Sequence, residues 1–198
     1  EDIPEAARPW LSQAVQEQRV EVALRLSGDP ILPLVFSDQN PWIFERLASS
    51  RQSFSRILGR PPSGFVPGGG AASLEVAAAL AAQGFTWIAV GRTEEASPWV
   101  DAKGMVFLPF SMLTSSAPER AASGDGVVAE DSRWDSWQPG VSSLLMERGQ
   151  TRWRPAGDWA ADSNPAPAEP ELWSAFGGSL SHWDAYPLQK QSWKFFHY

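Results

Sequence analysis

The chain has no cysteine and only two histidines, and its longest apolar run is Val76–Ala82. Without cysteine there is no disulfide, no thiolate catalysis and no cysteine-ligated zinc, and the cellular compartment stays open. His182 and His197 could form a two-histidine metal site only by drawing on the extreme C-terminus. No metal and no cofactor is expected. A bilayer span needs roughly 20 apolar residues, so no membrane insertion is expected either. Basic residues are also scarce. Lys and Arg number 16 against 23 Asp and Glu, a formal net charge of -7, and no basic cluster stands out. Nucleic acid and anionic membrane surfaces both select Lys/Arg patches, so neither is an expected partner.

What is present suits a globular domain. The 198 residues, 43% hydrophobic and 20% charged, are enough for one domain with a sizeable core and short for two. Eleven tryptophans supply much flat apolar surface, of the kind that fills cores and interfaces. The chain opens at Glu1 without a methionine or a signal-like segment. That reads as a processed, extracytoplasmic chain or as a piece of something longer.

Roughly the first 130 residues alternate short apolar runs with helical patterns, which predicts βαβ units and a largely parallel sheet. Trp10 to Gln18 reads as a helix, with Pro9 suited to its first turn. Val20 to Leu26 alternates as a strand. Ile31 to Phe36 contains Pro33 and belongs in a loop rather than a central strand. The segment from Asn40 to Gly59 is the clearest helix, capped by Asn40, opened by Pro41 and closed by Gly59. Its inner face carries Ile43, Leu47, Phe54 and Leu58. Strands are expected at Gly64 to Pro67, Thr86 to Val90, Met105 to Phe110 and Val127 to Glu130. A helix from Ser73 to Gln83 follows a glycine turn, and Gln138 to Arg148 also reads as helical. The stretch 151–171, rich in Pro, Ala, Asp and Trp, reads as a long irregular loop. Pro187 to Phe196 reads as a terminal helix with Trp193 and Phe196 inward.

Four stretches, in order, resemble motifs of glycoside hydrolase family 57. Gly28-Asp29-Pro30-Ile31-Leu32-Pro33-Leu34 is similar to the family's His-Pro-Ile-Leu-Pro-Leu loop. Gly59-Arg60-Pro61-Pro62-Ser63-Gly64-Phe65-Val66-Pro67-Gly68-Gly69-Gly70 resembles its Gly-Arg-Pro-Pro-x-Gly-x-Trp-Pro-Ser-Glu-Gly, and Gly84-Phe85-Thr86-Trp87-Ile88-Ala89 continues the match. Val127 to Trp134 is similar to the family's strand ending in Asp-Gly-Glu-Asn and an aromatic. Gly178 to Asp184, followed by Gln191-Ser192-Trp193, resembles its closing segment. The resemblance implies an α/β fold: a partial (β/α)7-type barrel of mainly parallel strands with flanking helices. Residues 1–198 would then be a single domain lacking the family's N-terminal strands. Its mouth would be built from residues 28–38, 67–73, 91–103 and 130–138, at the carboxyl ends of the strands. An oligosaccharide or polysaccharide is the implied ligand. A missing N-terminal segment or another chain would complete the barrel, because open sheet edges are normally covered.

The departures carry the functional expectation. The family's carboxylate nucleophile falls at Gly69, and nothing from Val66 to Ala72 is acidic. Retaining glycosidases need two carboxylates about 5–5.5 Å apart. The acid/base position falls at Glu130 or Asp131, and the histidine of the early loop is Asp29. The resemblance therefore implies a catalytically degenerate module. It would bind sugar by hydrogen bonds from Asp29, Glu130, Asp131 and His182, and by stacking on Trp134, Trp137, Trp173 and Trp183. Glu130 and Asp131 also read as a strand-end cap or ion pair with Arg133, the tryptophans as packing of the long loop, and His182 as a hydrogen-bonded loop or interface histidine. Two other readings stand beside it: an active α-glucan hydrolase or transferase whose nucleophile is Glu75 or Glu94, and a structural scaffold subunit. The Arg-Pro-Pro turn is also similar, more weakly, to polysaccharide deacetylases, but their early histidines have no counterpart here. The glycine run lacks the Lys and Ser/Thr spacing of a phosphate loop and reads as a turn that needs positive φ.

Overall fold

A computed structural model describes residues 5–28, 30–36, 41–91, 98–112, 127–128, 155–167 and 172–173. Helix α1 spans Arg8–Gln16 with proline in its first turn. A single helical turn, α2, covers Leu32–Val35, where a loop was expected. Pro33 sits in its first turn, where a missing N–H costs nothing. Helix α3, Pro41–Leu58, opens on its proline and stops at Gly59, whose φ is +81°. Ile43, Leu47 and Leu58 of its expected inner face are buried, and Phe54 is partly so. From α3, Arg51 donates to the carbonyls of Pro62 and Gly84 at 3.1 and 3.0 Å. It thereby fixes the entry to the next two strands.

Strands β1 (Gly64–Phe65), β3 (Trp87–Gly91) and β5 (Val106–Met112) run parallel and adjacent in that order. β6, Val127–Val128, continues the parallel series beside Ser111 and Met112 of β5. The expected strand at 20–26 pairs with β1 only at Leu24, opposite Phe65, with Leu24 N–H donating to the Gly64 carbonyl. Each parallel strand thus lies next to its predecessor in sequence. Helix α4, Leu74–Ala82, makes the crossover from β1 to β3.

Side chains alternate between the two faces of this sheet, as the pleat requires. Phe65, Ile88, Val90 and Phe107 join Ile43 and Leu47 of α3 and Val76, Ala77 and Leu80 of α4 in the main core. Trp87, Ala89 and Leu108 point the other way and meet Ala160. Ala160 belongs to α5, Ala156–Asp162. The described part of 151–171 is therefore no irregular loop: it holds α5 and a short strand, β7 (Ala166–Pro167). Its Pro and Ala content hid a helix that Pro155 introduces and Ala160 anchors.

Residues 98–103 also depart from expectation. They were assigned to the mouth, but β4 (Trp99–Val100) runs antiparallel to the start of β5, at the amino-terminal end of the sheet. The connection is a tight turn. Asp101, 8% exposed, accepts from the backbone N–H of Lys103 and Met105, both at 2.9 Å. Gly104, with φ +84°, completes it, and Trp99 stacks on Phe107 at 5.5 Å between ring centres. An aspartate that caps its own turn is a local feature. It won over the expected run toward the strand ends. The expected helices at Gln138–Arg148 and Pro187–Phe196 and the cap Asn40 lie outside the described residues.

Candidate functional site at the carboxyl ends of the parallel strands

The carboxyl end of β1 leads through buried Pro67 into a tight turn, Gly68–Gly70. The N–H of Gly70 donates to the Pro67 carbonyl at 3.0 Å, and that of Ala71 to the Gly68 carbonyl at 3.1 Å. Gly70 has φ +64°, which an L side chain adopts only at a cost. The turn lies against β3. It passes into β2, Ala72–Ser73, and Ser73 then caps α4 by accepting from the Val76 N–H at 3.3 Å. The backbone on either side of Gly69 is thus held by hydrogen bonds, and Gly69 itself presents no side chain.

β2 pairs antiparallel with β8, Leu172–Trp173, and Trp173 stands opposite Ala72. One expected site residue is therefore brought beside the glycine turn by the main chain, from a hundred residues away in sequence. β6 ends at Val128, two residues before Glu130, and buried Gly91 ends β3. Asp29, Glu130, Asp131, Trp134, Trp137, His182 and Trp183 lie outside the described residues, as does Glu94. Glu75 is exposed in the first turn of α4 and lines a groove with Phe36, Phe44 and Ala78. Among the described residues no group of three or more His, Asp or Glu side chains could hold a metal. Nor is any described helix long and apolar enough to cross a membrane.

A second feature went unseen in the sequence. Glu21 lies at the opposite, amino-terminal end of the strands. Its Oε1 accepts from Ser63 Oγ at 2.7 Å and from Trp87 Nε1 at 3.0 Å, and its Oε2 from the Gly157 N–H at 2.6 Å. An open cleft of about 230 Å³ adjoins it, lined in part by Gln18, Arg60, Thr86 and Asp158. Three donors of the chain itself engage this carboxylate, so its role is to clasp α5 to the sheet rather than to meet a ligand. The sequence offered only Glu21 as the polar partner in an alternating strand, the pattern of a solvent-facing residue.

Comparison with known proteins agrees with the mixed α/β fold and its mostly parallel sheet. The structure is similar to a glycoside hydrolase family 57-type branching enzyme from Pyrococcus horikoshii. The TM-score is 0.63 at 16% identity, over 96% of this chain and 54% of that one. It is also similar to a 4-alpha-glucanotransferase from Thermococcus litoralis, with a TM-score of 0.58 at 13% identity, over 98% of this chain and 38% of that one. A putative polysaccharide deacetylase from Mycobacterium smegmatis matches with a TM-score of 0.55 at 14% identity, over 83% of this chain and 71% of that one. The chain spans about half the length of the branching enzyme and less of the glucanotransferase. At such identities these likenesses speak to the fold alone. No curated protein matches the sequence at a significant level. The model of glycosyl hydrolase family 57 matches residues 9–118, more than half of the chain, so the chain is a member of glycosyl hydrolase family 57.

Proposed function

We propose that this protein is a carbohydrate-binding member of its family that does not cleave glycosidic bonds by the family's two-carboxylate route. One observation carries the reading. The turn at the carboxyl end of β1, where the family places its nucleophile, is Gly68–Gly70, with no acidic residue from Val66 to Ala72. A glycosyl-enzyme intermediate needs a carboxylate oxygen at the anomeric carbon, and a second carboxyl group about 5–5.5 Å away to protonate the leaving oxygen. Gly69 supplies neither oxygen. Glu130 or Asp131, after β6 in sequence, and Asp29 would then serve as hydrogen-bond acceptors for sugar hydroxyls, and His182 as a donor. Trp134, Trp137, Trp173 and Trp183 would offer indole faces to pyranose rings. The register of Trp173 with Ala72 supports this, because it brings a tryptophan's main chain to the glycine turn.

The barrel belongs to the same proposal. Strand order that follows sequence order, from Leu24 through β1, β3 and β5 to β6, is the winding that closes barrels and gathers strand-end loops into one mouth. Residues 20–26 form an edge of the described sheet, and a second chain covering that edge is the corresponding partner proposal. A compact monomer in solution scattering, with that edge protected from amide exchange, would remove the need for the partner.

The active-enzyme reading has less support. Glu75 lines the groove on α4 with Phe36 and Ala78, and it does not fall at the family's nucleophile position in the motif. The deciding experiment is tryptophan fluorescence titrated with α-glucan oligosaccharides, with product analysis on the same samples. Saturable quenching without new products supports the binding module. Turnover would refute it and send the search to Glu94 and the acids beyond β6. An absence of both quenching and products would leave the scaffold role as the better account.

A further inference from the structure

The cleft beside Glu21 holds polar groups that the fold does not use. Glu21 itself is engaged by its three donors. Arg60 and Asp158 line the same cleft, of about 230 Å³, and both are exposed. Among the described residues neither has a hydrogen bond or an ion pair, and the two do not pair with each other. The side-chain amide of Gln18, also in the lining, is likewise unengaged. Thr86 donates its hydroxyl to the Ser63 carbonyl at 3.3 Å, which leaves its oxygen able to accept. Val15, Leu58 and Pro62, all buried, give the cleft apolar surface.

These groups define an occupant. Clefts that hold drug-sized ligands measure about 300–1,000 Å³, so this one suits a smaller molecule. Arg60 can only donate, Asp158 can only accept, and the Gln18 amide does both, so the occupant must present both kinds of group. One cation shares the cleft with two carboxylates, Glu21 and Asp158, which disfavours an anion. A cation finds only Asp158, because Glu21 already has its donors. A zwitterion must strip water from two charges. A neutral polyol meets every condition: each hydroxyl donates and accepts, and the C–H faces of a ring can lie on apolar surface. Gln18 adds an independent observation. It holds φ +57°, where glycine rests more easily, so its amide is set in the cleft at a backbone cost, and such outliers cluster where ligands are held.

We propose that this cleft binds a single sugar ring through Arg60, Asp158 and Gln18, at the end of the strands opposite the glycine turn. The site is separate from the one proposed at the carboxyl ends, and either can fail without the other. The test is a titration of the ¹⁵N-labelled full chain with glucose, galactose, mannose and N-acetylglucosamine. The backbone amides of Thr86 and Gly157 and the indole N–H of Trp87 should move together and saturate with at least one of the four. Arg60→Ala and Asp158→Ala should each raise the Kd at least about fivefold. Gln18→Gly should weaken binding about threefold without lowering the Tm, so that its loss of binding is not a loss of fold. Stillness of these signals with all four sugars would overturn the proposal, as would a Kd that Arg60→Ala and Asp158→Ala leave unchanged. Movement confined to the amides of Gly70 and Ala71 would also overturn it, while leaving the carboxyl-end site standing. The same shifts produced by glycine and by none of the sugars would assign the cleft to a zwitterion instead.

Discussion

Replacing Glu21 by glutamine changes one atom and should cost far more than a surface substitution does. All three groups that face the carboxylate are positioned to donate: Ser63 Oγ at 2.7 Å, Trp87 Nε1 at 3.0 Å and the Gly157 N–H at 2.6 Å. A glutamine amide offers one oxygen and one NH₂. If its nitrogen takes the place of Oε2, it meets the Gly157 N–H. Flipped, the nitrogen meets the indole N–H of Trp87. Ser63 can rotate its hydroxyl, but neither of the other donors can turn away. Hydrogen bonds to a charged acceptor contribute about 1.5–3 kcal/mol each, and an orphaned donor costs about 1–3 kcal/mol. Glu21 is only half-buried, so water relieves part of this. We expect Glu21→Gln to lose about 1.5–3 kcal/mol of stability, a Tm lower by about 3–12 °C for a domain of this size.

Thermal unfolding followed by far- and near-ultraviolet circular dichroism measures the effect, the near-ultraviolet band reporting on the packing of the aromatic side chains. A double-mutant cycle with Trp87→Phe isolates the indole bond, with an expected coupling of about 1–2 kcal/mol. If Glu21→Gln unfolds within about 0.5 kcal/mol of the parent, the scale of an ordinary surface change, the clasp between α5 and the sheet is not a stabilising feature and the reasoning fails.

Three further outcomes follow from the same geometry. Gly64→Ala should destabilise by about 3 kcal/mol or more, because a Cβ there would lie 1.9 Å from the Trp87 ring; denaturant titration measures it, and recovery of the loss by a second change, Trp87→Val, would confirm the cause. Asp101→Ala should cost about 2–3 kcal/mol through loss of the bonds to the Lys103 and Met105 amides, whereas Asp101→Asn, which keeps an accepting oxygen, should cost no more than about 1 kcal/mol in the same titration. Gln18 closes α1 with φ +57°, so Gln18→Gly should raise stability by about 0.5–1 kcal/mol, and an unchanged or lower Tm would contradict that.

The helices were legible where the sequence marks its own boundaries. Pro41 and Gly59 bracket α3, and Ser73 and Gly84 bracket α4, because caps and positive-φ glycines act within a few residues. The strands β3 and β5 were legible as apolar runs. Nothing local announced α5. Its helix is held by Ala160 against Trp87, Ala89 and Leu108 and by the Gly157 bond to Glu21, contacts between segments far apart in sequence. The strand expected at 20–26 shrank to one bridge for the converse reason, since alternation supplies a pattern but not a partner at every rung. The 98–103 stretch was misplaced because the Asp101 cap turns the chain within four residues, which apolar periodicity does not register. Of the expected site, the glycine turn was read directly from the motif, whereas the approach of Trp173 to Ala72 needed the β2–β8 pairing.

The placement of acidic side chains along the strands bears on function more than any single motif does. In barrels of parallel strands, chemistry belongs to the carboxyl ends and the amino ends serve stability. Glu21 and Asp101 are each engaged by converging donors, and both stand at the amino ends: one beside Ser63 and the first residue of β3, the other in the turn before β5. Both close structural connections, α5 to the sheet and β4 to β5. At the carboxyl end of β1 the chain has instead a hydrogen-bonded turn of three glycines, lying against β3 and flanked by the main chain of Trp173. A polymer whose sugar rings must slide over a shallow surface needs close approach to backbone and flat apolar faces, which glycine and tryptophan provide. A bond-breaking site needs a fixed carboxylate at that same point, and Gly69 cannot provide one. The proposed function rests on this contrast: donor-engaged carboxylates at the amino ends and a glycine turn at the carboxyl end of β1.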